Sequence, residues 1–286
     1  MHLLTKFNIY LIAFFLNFLF LNNSSASGDD KDIRIISISP AATEIIYAIG
    51  AGDSLVAVSS YCNWPPEAKA KTKIGSFSWP KIEKIIYLQP DIVITAGLEQ
   101  APVVQQLKAL NIRTIVCSAK TIEGLFGAIE EIALAVDRIE EGQKLIKVMS
   151  ARINQIKSRF EDIPVNKRPK VLLELWDEPL IVAGTDSLIG QVIELAGGKN
   201  IAYDAMHAYS RFSYELVLKR NPDYIIAVYM KRGQDKERIK NRFGYSNIKA
   251  VKNDHIICDI NPDIILRAGP RITEAIDEIN KRIYAQ

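Results

Sequence analysis

The chain has 286 residues, 48% of them hydrophobic and 24% charged, with 36 Lys and Arg against 33 Asp and Glu. That is long enough for one large or two ordinary domains, each with its own core, and 15 Gly with 12 Pro argue against a fibrous or disordered chain. A net charge of +3 supplies no basic tract to follow a nucleic acid, and Cys62, Cys117 and Cys258, widely spaced and without a CxxC, supply neither a disulfide framework nor a structural metal site.

Residues 1–26 read as a secretory signal. Lys6 is their only Lys or Arg, an apolar run from Phe7 to Leu21 is broken only by Asn8 and Asn17, and Ser24, Ser25 and Ala26 are the small residues a signal peptidase needs. A run of about 15 residues falls short of the roughly 20 that a spanning helix needs. Cleavage near Ala26 is therefore expected, leaving a soluble periplasmic protein; the alternative is an uncleaved anchor. No cysteine stands near the cut to carry a lipid.

From residue 34 the pattern is strand then helix, repeated. Residues 34–39 (RIISIS) are a short β-branched run, and Ser39-Pro40 opens a helix that Gly50 stops. Strands follow at 55–59, 91–95 and 113–117, with helices at 80–88, 101–110 and 122–136. Such alternation indicates a parallel sheet covered by helices. Residues 138–160 contain no Pro and only Gly142, and Leu145, Val148, Met149, Ile153 and Ile156 form one stripe at helical spacing. That helix would be about 35 Å long. Alternation resumes with strands at 170–175, 223–228 and 255–259 and helices at 186–196, 214–220 and 270–284. The expected fold is α/β, two Rossmann-like lobes with parallel sheets joined by one long rigid helix. The expected boundaries are a lobe at 33–136, the connecting helix at 138–162 and a lobe at 168–286.

Two stretches repeat. Phe77 precedes Glu83 by six residues, and Pro90-Asp91 then introduces a strand; Tyr209 precedes Glu215 by six, and Pro222-Asp223 does the same. Pro-Asp before a strand is ordinary turn chemistry, but it leaves the matched aromatic and glutamate unexplained. Two pseudo-equivalent lobes facing one cleft account for both.

Six stretches in order carry a family resemblance: SPAATE at 39–44, SSYCNWPP at 59–66, Ile82-Glu83 with Gln89-Pro90-Asp91, WDEP at 176–179, GGKN at 197–200 and RAGPR at 267–271. With these the chain resembles, over residues 33–286, the periplasmic substrate-binding proteins of ATP-driven importers for cobalamin, ferric siderophores and haem, and most nearly the cobalamin-binding branch. The resemblance implies a ligand held between two lobes with little closure, delivery to a two-fold ABC permease, no resident cofactor or metal, and a monomer. It places Tyr61, Phe77 and Tyr209 at aromatic walls of the cleft and Asp263 and Arg267 at polar ligand contacts. Trp176, just beyond a strand end, is a further wall candidate. Ser39 and the amide N–H groups that follow Pro40, at a helix start, are placed to donate to ligand carbonyls, with a plain N-cap as the alternative. Asp263 and Arg267 are equally readable as an i,i+4 ion pair. Glu83 and Glu215 are implied as permease-docking acids, and are also ordinary first-turn helix acids. Ala96 departs from the pattern, since the cobalamin relatives carry a large aromatic there. Trp64 and Trp79 are weaker wall candidates, Arg211 and Arg267 are the evident cleft arginines, and His207 reads as a solvated loop residue. Siderophore or haem binding is the alternative within the class. No GxSxG, HExxH, Walker or GxGxxG pattern occurs, so a cofactor-holding periplasmic enzyme is the minor alternative.

Overall fold

The computed structural model describes residues 33–97, 100–229 and 235–284; the signal expected over residues 1–26 lies outside them. β1 (Ile35–Ser37), β2 (Leu55–Val58), β3 (Thr72–Lys73), β4 (Ile92–Thr95) and β5 (Thr114–Val116) form a sheet in the order β3-β2-β1-β4-β5. Every pair in it is parallel. Helices α1 (Pro40–Ala48), α2 (Ile82–Tyr87), α3 (Ala101–Ala109) and α4 (Ile122–Ala135) connect these strands or follow them. β1 and β4 are wholly buried, as two-sided cover of a parallel sheet requires.

The second sheet corrects an expectation. β6 (Lys170–Asp177), β10 (Tyr224–Ala227) and β11 (Ile256–Ile257) are parallel, and β8 (Lys199–Asn200) pairs parallel with β6. β7 (Leu180–Ala183) and β9 (Tyr209–Arg211), however, run antiparallel on the other side of β6. Only residues 178 and 179 separate β6 from β7, and so short a connection can join only antiparallel neighbours. Around this mixed sheet lie α6 (Leu188–Leu195), α7 (Tyr214–Arg220), α8 (Asp235–Lys240), α9 (Lys249–Lys252), α10 (Pro262–Leu266) and α11 (Ile272–Tyr284).

α5 (Ile139–Lys157) is the long helix between the sheets, shorter at both ends than the sequence suggests. Its 19 residues span about 28 Å. After Ser158 the chain turns to bury Phe160, whose ring stacks on Tyr284 at 6.2 Å. Met149, Ile153 and Ile156 are buried, but Val148 is exposed and does not belong to the stripe. Gly142 lets α5 cross α4 closely, since a Cβ there would lie 2.6 Å from that of Ala133.

One continuous core runs through both lobes. It joins Ile35, Ile92 and Ile94 of the first sheet to Val171, Leu173 and Ile226 of the second through Ile129, Ile132, Met149, Ile153, Ile276 and Ile279 on α4, α5 and α11. Each sheet's other face has its own small core, around Ile36, Ile38 and Val93 in one lobe and Leu172, Ile225 and Tyr245 in the other. Asp277 on α11 adds a polar tie to this layer, pairing with Arg159 at 2.6 Å and Lys281 at 2.8 Å. Burial raises its pKa, but Lys281 and Arg159 outweigh burial and hold it at about 2, against an ordinary 3.8. A depressed carboxylate stabilises the fold above its unfolded pKa and loses that contribution as pH falls through the folded value. Acid unfolding between pH 4 and 2 should therefore be less steep in Asp277→Asn than in wild type; identical acid limbs would remove this role.

The repeat seen in the sequence is a structural one. Glu83 and Glu215 each occupy the second residue of their helix, α2 and α7. Each helix is followed by a left-handed residue, Gln89 (φ 45°) or Asn221 (φ 47°). Asp91 then accepts the Arg34 amide at 2.8 Å, and Asp223 accepts the Lys170 amide at 2.9 Å. The Arg34 and Lys170 side chains themselves donate to carbonyls at the ends of α2 and α7. Side chains of the same kind thus fasten corresponding strands and helices in the two lobes.

Candidate functional site

In the first lobe all strands point the same way, so their C-terminal ends gather at one edge, where open α/β sheets place binding loops. Tyr61 follows β2, Phe77 follows β3 and Ala96 follows β4. Tyr61 is 60% exposed and Phe77 is half-buried. Gln100, buried and missed by sequence reasoning, fixes this edge. Its Oε1 accepts the Ala96 amide at 2.6 Å, and its Nε2 donates to the Phe77 carbonyl at 2.6 Å. Ser39 takes the N-cap alternative: it is 2% exposed, and its hydroxyl caps α1 by accepting the Ala42 amide at 3.3 Å. Its carbonyl takes the Ser37 and Thr43 hydroxyls, so its hydroxyl and carbonyl are used inside the fold. Pro40, half-buried, is the first residue of α1.

In the second lobe the aromatic pair lies on strands rather than on loops. The register of β6 against β7 shifts between Glu174, opposite Val182, and Trp176, opposite Ile181. Val182 and Ile181 point to opposite faces, so this bulge turns Trp176 away from the face that holds Glu174. Glu174 is buried there with Arg242 (2.6 and 2.9 Å) and the Tyr229 hydroxyl. Burial, Glu174's charge and its hydrogen bond push the Tyr229 pKa up, against the opposing pull of Arg242. Trp176 is 43% exposed, and its indole N–H donates to the Glu178 carbonyl at 3.1 Å. Ile181 pairs with Arg211, and Ala183 with Tyr209, which is 53% exposed. Trp176, Ile181, Arg211 and Tyr209 thus share one sheet face. Ala183, on that face, belongs to the core common to both lobes. Leu180 and Val182, on the opposite face, belong to the second lobe's own core, so the row lies on the sheet face turned to the shared core.

Between the lobes lies a contact that the sequence analysis did not foresee. Glu44 on α1, 3% exposed, accepts from Arg271 at 2.6 and 3.0 Å and from Arg267 at 3.1 Å. Arg267 also donates to Asn63 Oδ1 at 2.7 Å and to the Tyr61 carbonyl at 3.3 Å, and pairs with Asp263 at 3.0 Å. Asn63 closes the ring by donating to Asp263 at 3.2 Å. The Arg271 guanidinium lies 4.6 Å from the centre of the Trp64 ring. Burial opposes the Arg271 charge, but Glu44's hydrogen bond and charge outweigh it and raise the pKa. Gly269 lets the loop approach α1, since a Cβ would stand 3.2 Å from Glu44 Oε2. The i,i+4 reading of Asp263 and Arg267 therefore holds as geometry, within a larger network that positions Tyr61. SPAATE carries Glu44 and RAGPR carries Arg267 and Arg271, but neither stretch shows that they pair.

Glu83 and Glu215 are exposed. The Glu215 carboxyl is held below the usual carboxylate range by its own backbone N–H and the Ser213 hydroxyl. Trp79 is 83% exposed, and His207 is exposed, its amide donating to Ser210 Oγ. Cys62 is buried among the hydroxyls of Thr43 (3.1 Å) and Ser59 (3.2 Å). Burial pushes the Cys117 thiol up to about 12. Among the described residues no group of three or more His, Cys, Asp or Glu is placed to hold a metal ion, and no helix is long and apolar enough to cross a membrane.

A family model described as periplasmic binding protein matches residues 35–262. A substrate-binding lipoprotein of an ABC transporter from Bacillus subtilis, YvrC, is 30% identical over 91% of this chain and 84% of its own length. A vitamin B12-binding protein from Vibrio campbellii is 30% identical over 94% of each chain. The crystal structure of a possible iron-binding, periplasmic solute-binding protein from Staphylococcus epidermidis superposes with a TM-score of 0.77 at 28% identity, covering 88% of this chain and 98% of that one. Two α/β lobes and a match over most of the chain lead to one conclusion. The chain belongs to the periplasmic binding protein family, as a non-catalytic, extracytoplasmic substrate-binding protein of an ABC transporter.

Proposed function

We propose that this protein captures cobalamin or a related corrinoid between its lobes and delivers it to a membrane permease. The supporting observation is the pair of aromatic walls, Tyr61 and Phe77 on one lobe and Trp176 and Tyr209 on the other, in a fold whose relatives include vitamin B12-binding proteins. A corrinoid has a broad apolar ring and an amide fringe, which suits flat hydrophobic walls with few charges. The protein works in the periplasm as a monomer after removal of residues 1–26, with lobes at 33–136 and 168–286. A second reading, a ferric siderophore or haem, draws on Ala96, where a smaller residue leaves room for a differently shaped chelate. The deciding experiment is the visible spectrum of protein purified from cells fed cobalamin: corrin bands support the first reading, and a Soret band replaces it with haem.

Phe77→Ala with Tyr209→Ala should weaken cyanocobalamin binding, because buried aromatic anchors contribute on the order of 2 kcal/mol each. Unchanged affinity in the double variant would remove these walls from the site. The common core and α5 also set an expectation for motion. Two lobes that share one core cannot separate without exposing it, so small-angle scattering should give nearly equal radii with and without cyanocobalamin. A marked compaction on binding contradicts this.

A further inference from the structure

We propose that Arg211 reads an anionic group on the bound ligand, so that the cleft selects a chelate bearing a carboxylate or phosphate on the edge that meets the second lobe. This rests on the reading that a ligand sits between the lobes. Arg211 is the last residue of β9, two residues beyond Tyr209 and in register with Ile181, which is itself opposite Trp176. Adjacent strands lie about 4.8 Å apart, so Arg211 stands about 10 Å from Trp176 along one row, on the sheet face turned to the core shared by both lobes. Its exposed side chain makes no hydrogen bond, ion pair or ring contact among the described residues.

Among the described residues, Arg267 and Arg271 at the contact between the lobes hold Glu44, Arg238 pairs with Asp177 at 2.7 Å, and Arg242 is buried on Glu174 on the sheet's other face. Glu215, four residues after Arg211, is turned to its own helix start, where the backbone and Ser213 hold its carboxylate. The repeat sharpens the inference. Aligning Phe77 with Tyr209 and Glu83 with Glu215 places Trp79 opposite Arg211. The position of the first lobe that matches Arg211 is thus an indole, 83% exposed, so within this matched pair the charge stands on one side only. A ligand with one anionic edge is thereby given a single orientation. A guanidinium offers paired N–H donors to a carboxylate or phosphate, and the flanking aromatics would strip water from the pair once a ligand covers it.

The test titrates wild type, Arg211→Gln and Arg211→Lys, as full mature chains with matched melting curves, with three probes. Cyanocobalamin carries a phosphodiester, haemin carries two carboxylates, and dicyanocobinamide lacks the nucleotide phosphate. A charge-assisted hydrogen bond predicts a loss of about 10- to 100-fold in Arg211→Gln for an anionic probe. Dicyanocobinamide affinity should stay within about twofold. Arg211→Lys should fall between, because it keeps the charge and loses the fork, and the wild-type advantage should shrink with salt. A loss confined to cyanocobalamin assigns the phosphate, and one confined to haemin assigns a carboxylate. Equal losses on all three probes, or none, overturn the proposal while leaving the ligand reading intact. Wild type that binds none of the probes overturns both.

Discussion

Glu44→Ala should destabilise the folded chain by about 3–5 kcal/mol, the usual cost of removing one partner from a buried ion pair. Glu44 is nearly inaccessible, and the variant would leave the Arg271 side chain, 10% exposed, without an acid. Arg267, 12% exposed, would keep Asp263. The loss should therefore fall mainly on Arg271. Because Glu44 lies on α1 and both arginines follow α10, the effect should also reach the cleft: the Arg267 bond that holds the Tyr61 carbonyl would lose its fixed anchor. Denaturant unfolding checks the first part, with Glu44→Gln expected to lose less because an amide still accepts from a guanidinium. A loss below about 1 kcal/mol would show that the network contributes position and not stability.

Uptake should nearly vanish in a Glu83→Ala, Glu215→Ala double variant while ligand binding by the purified protein stays intact. Both glutamates are exposed at the second position of equivalent helices, so a two-fold permease could meet them with the same pair of pockets. Each would form a charge-assisted bond to an arginine of the permease. Engagement at two points multiplies effective concentration, so each single variant should lose more than half of transport. Glu→Arg at either site should be worse than Ala, because like charges would then face each other. The measurement is uptake of labelled cobalamin in cells lacking their own receptor, beside titration of the purified variants. Full uptake by the double variant would reduce these glutamates to helix-start residues, whose amides already favour an acid there.

What the sequence by itself determined was the local and the periodic. Four of the five strands of the first lobe (all but β3), α7 at residues 214–220 and the repeat built on Phe77–Glu83 and Tyr209–Glu215 are set by short-range patterns: β-branched runs, capping serines, Pro-Asp turns and helical spacing. Such signals need no knowledge of partners. The tertiary structure alone decided the rest. The sequence analysis placed no strand at β7 or β9, and β7 runs antiparallel because only two residues join it to β6. Val148 keeps helical spacing yet faces solvent, because the stripe's width depends on which helices pack against α5. Trp176 reaches the exposed face only through a bulge, which shifts every later side chain by one position. Glu44 meets Arg267 and Arg271 across more than 220 residues of chain, a pairing that no local pattern encodes, because it exists only once the shared core has set the two lobes against each other.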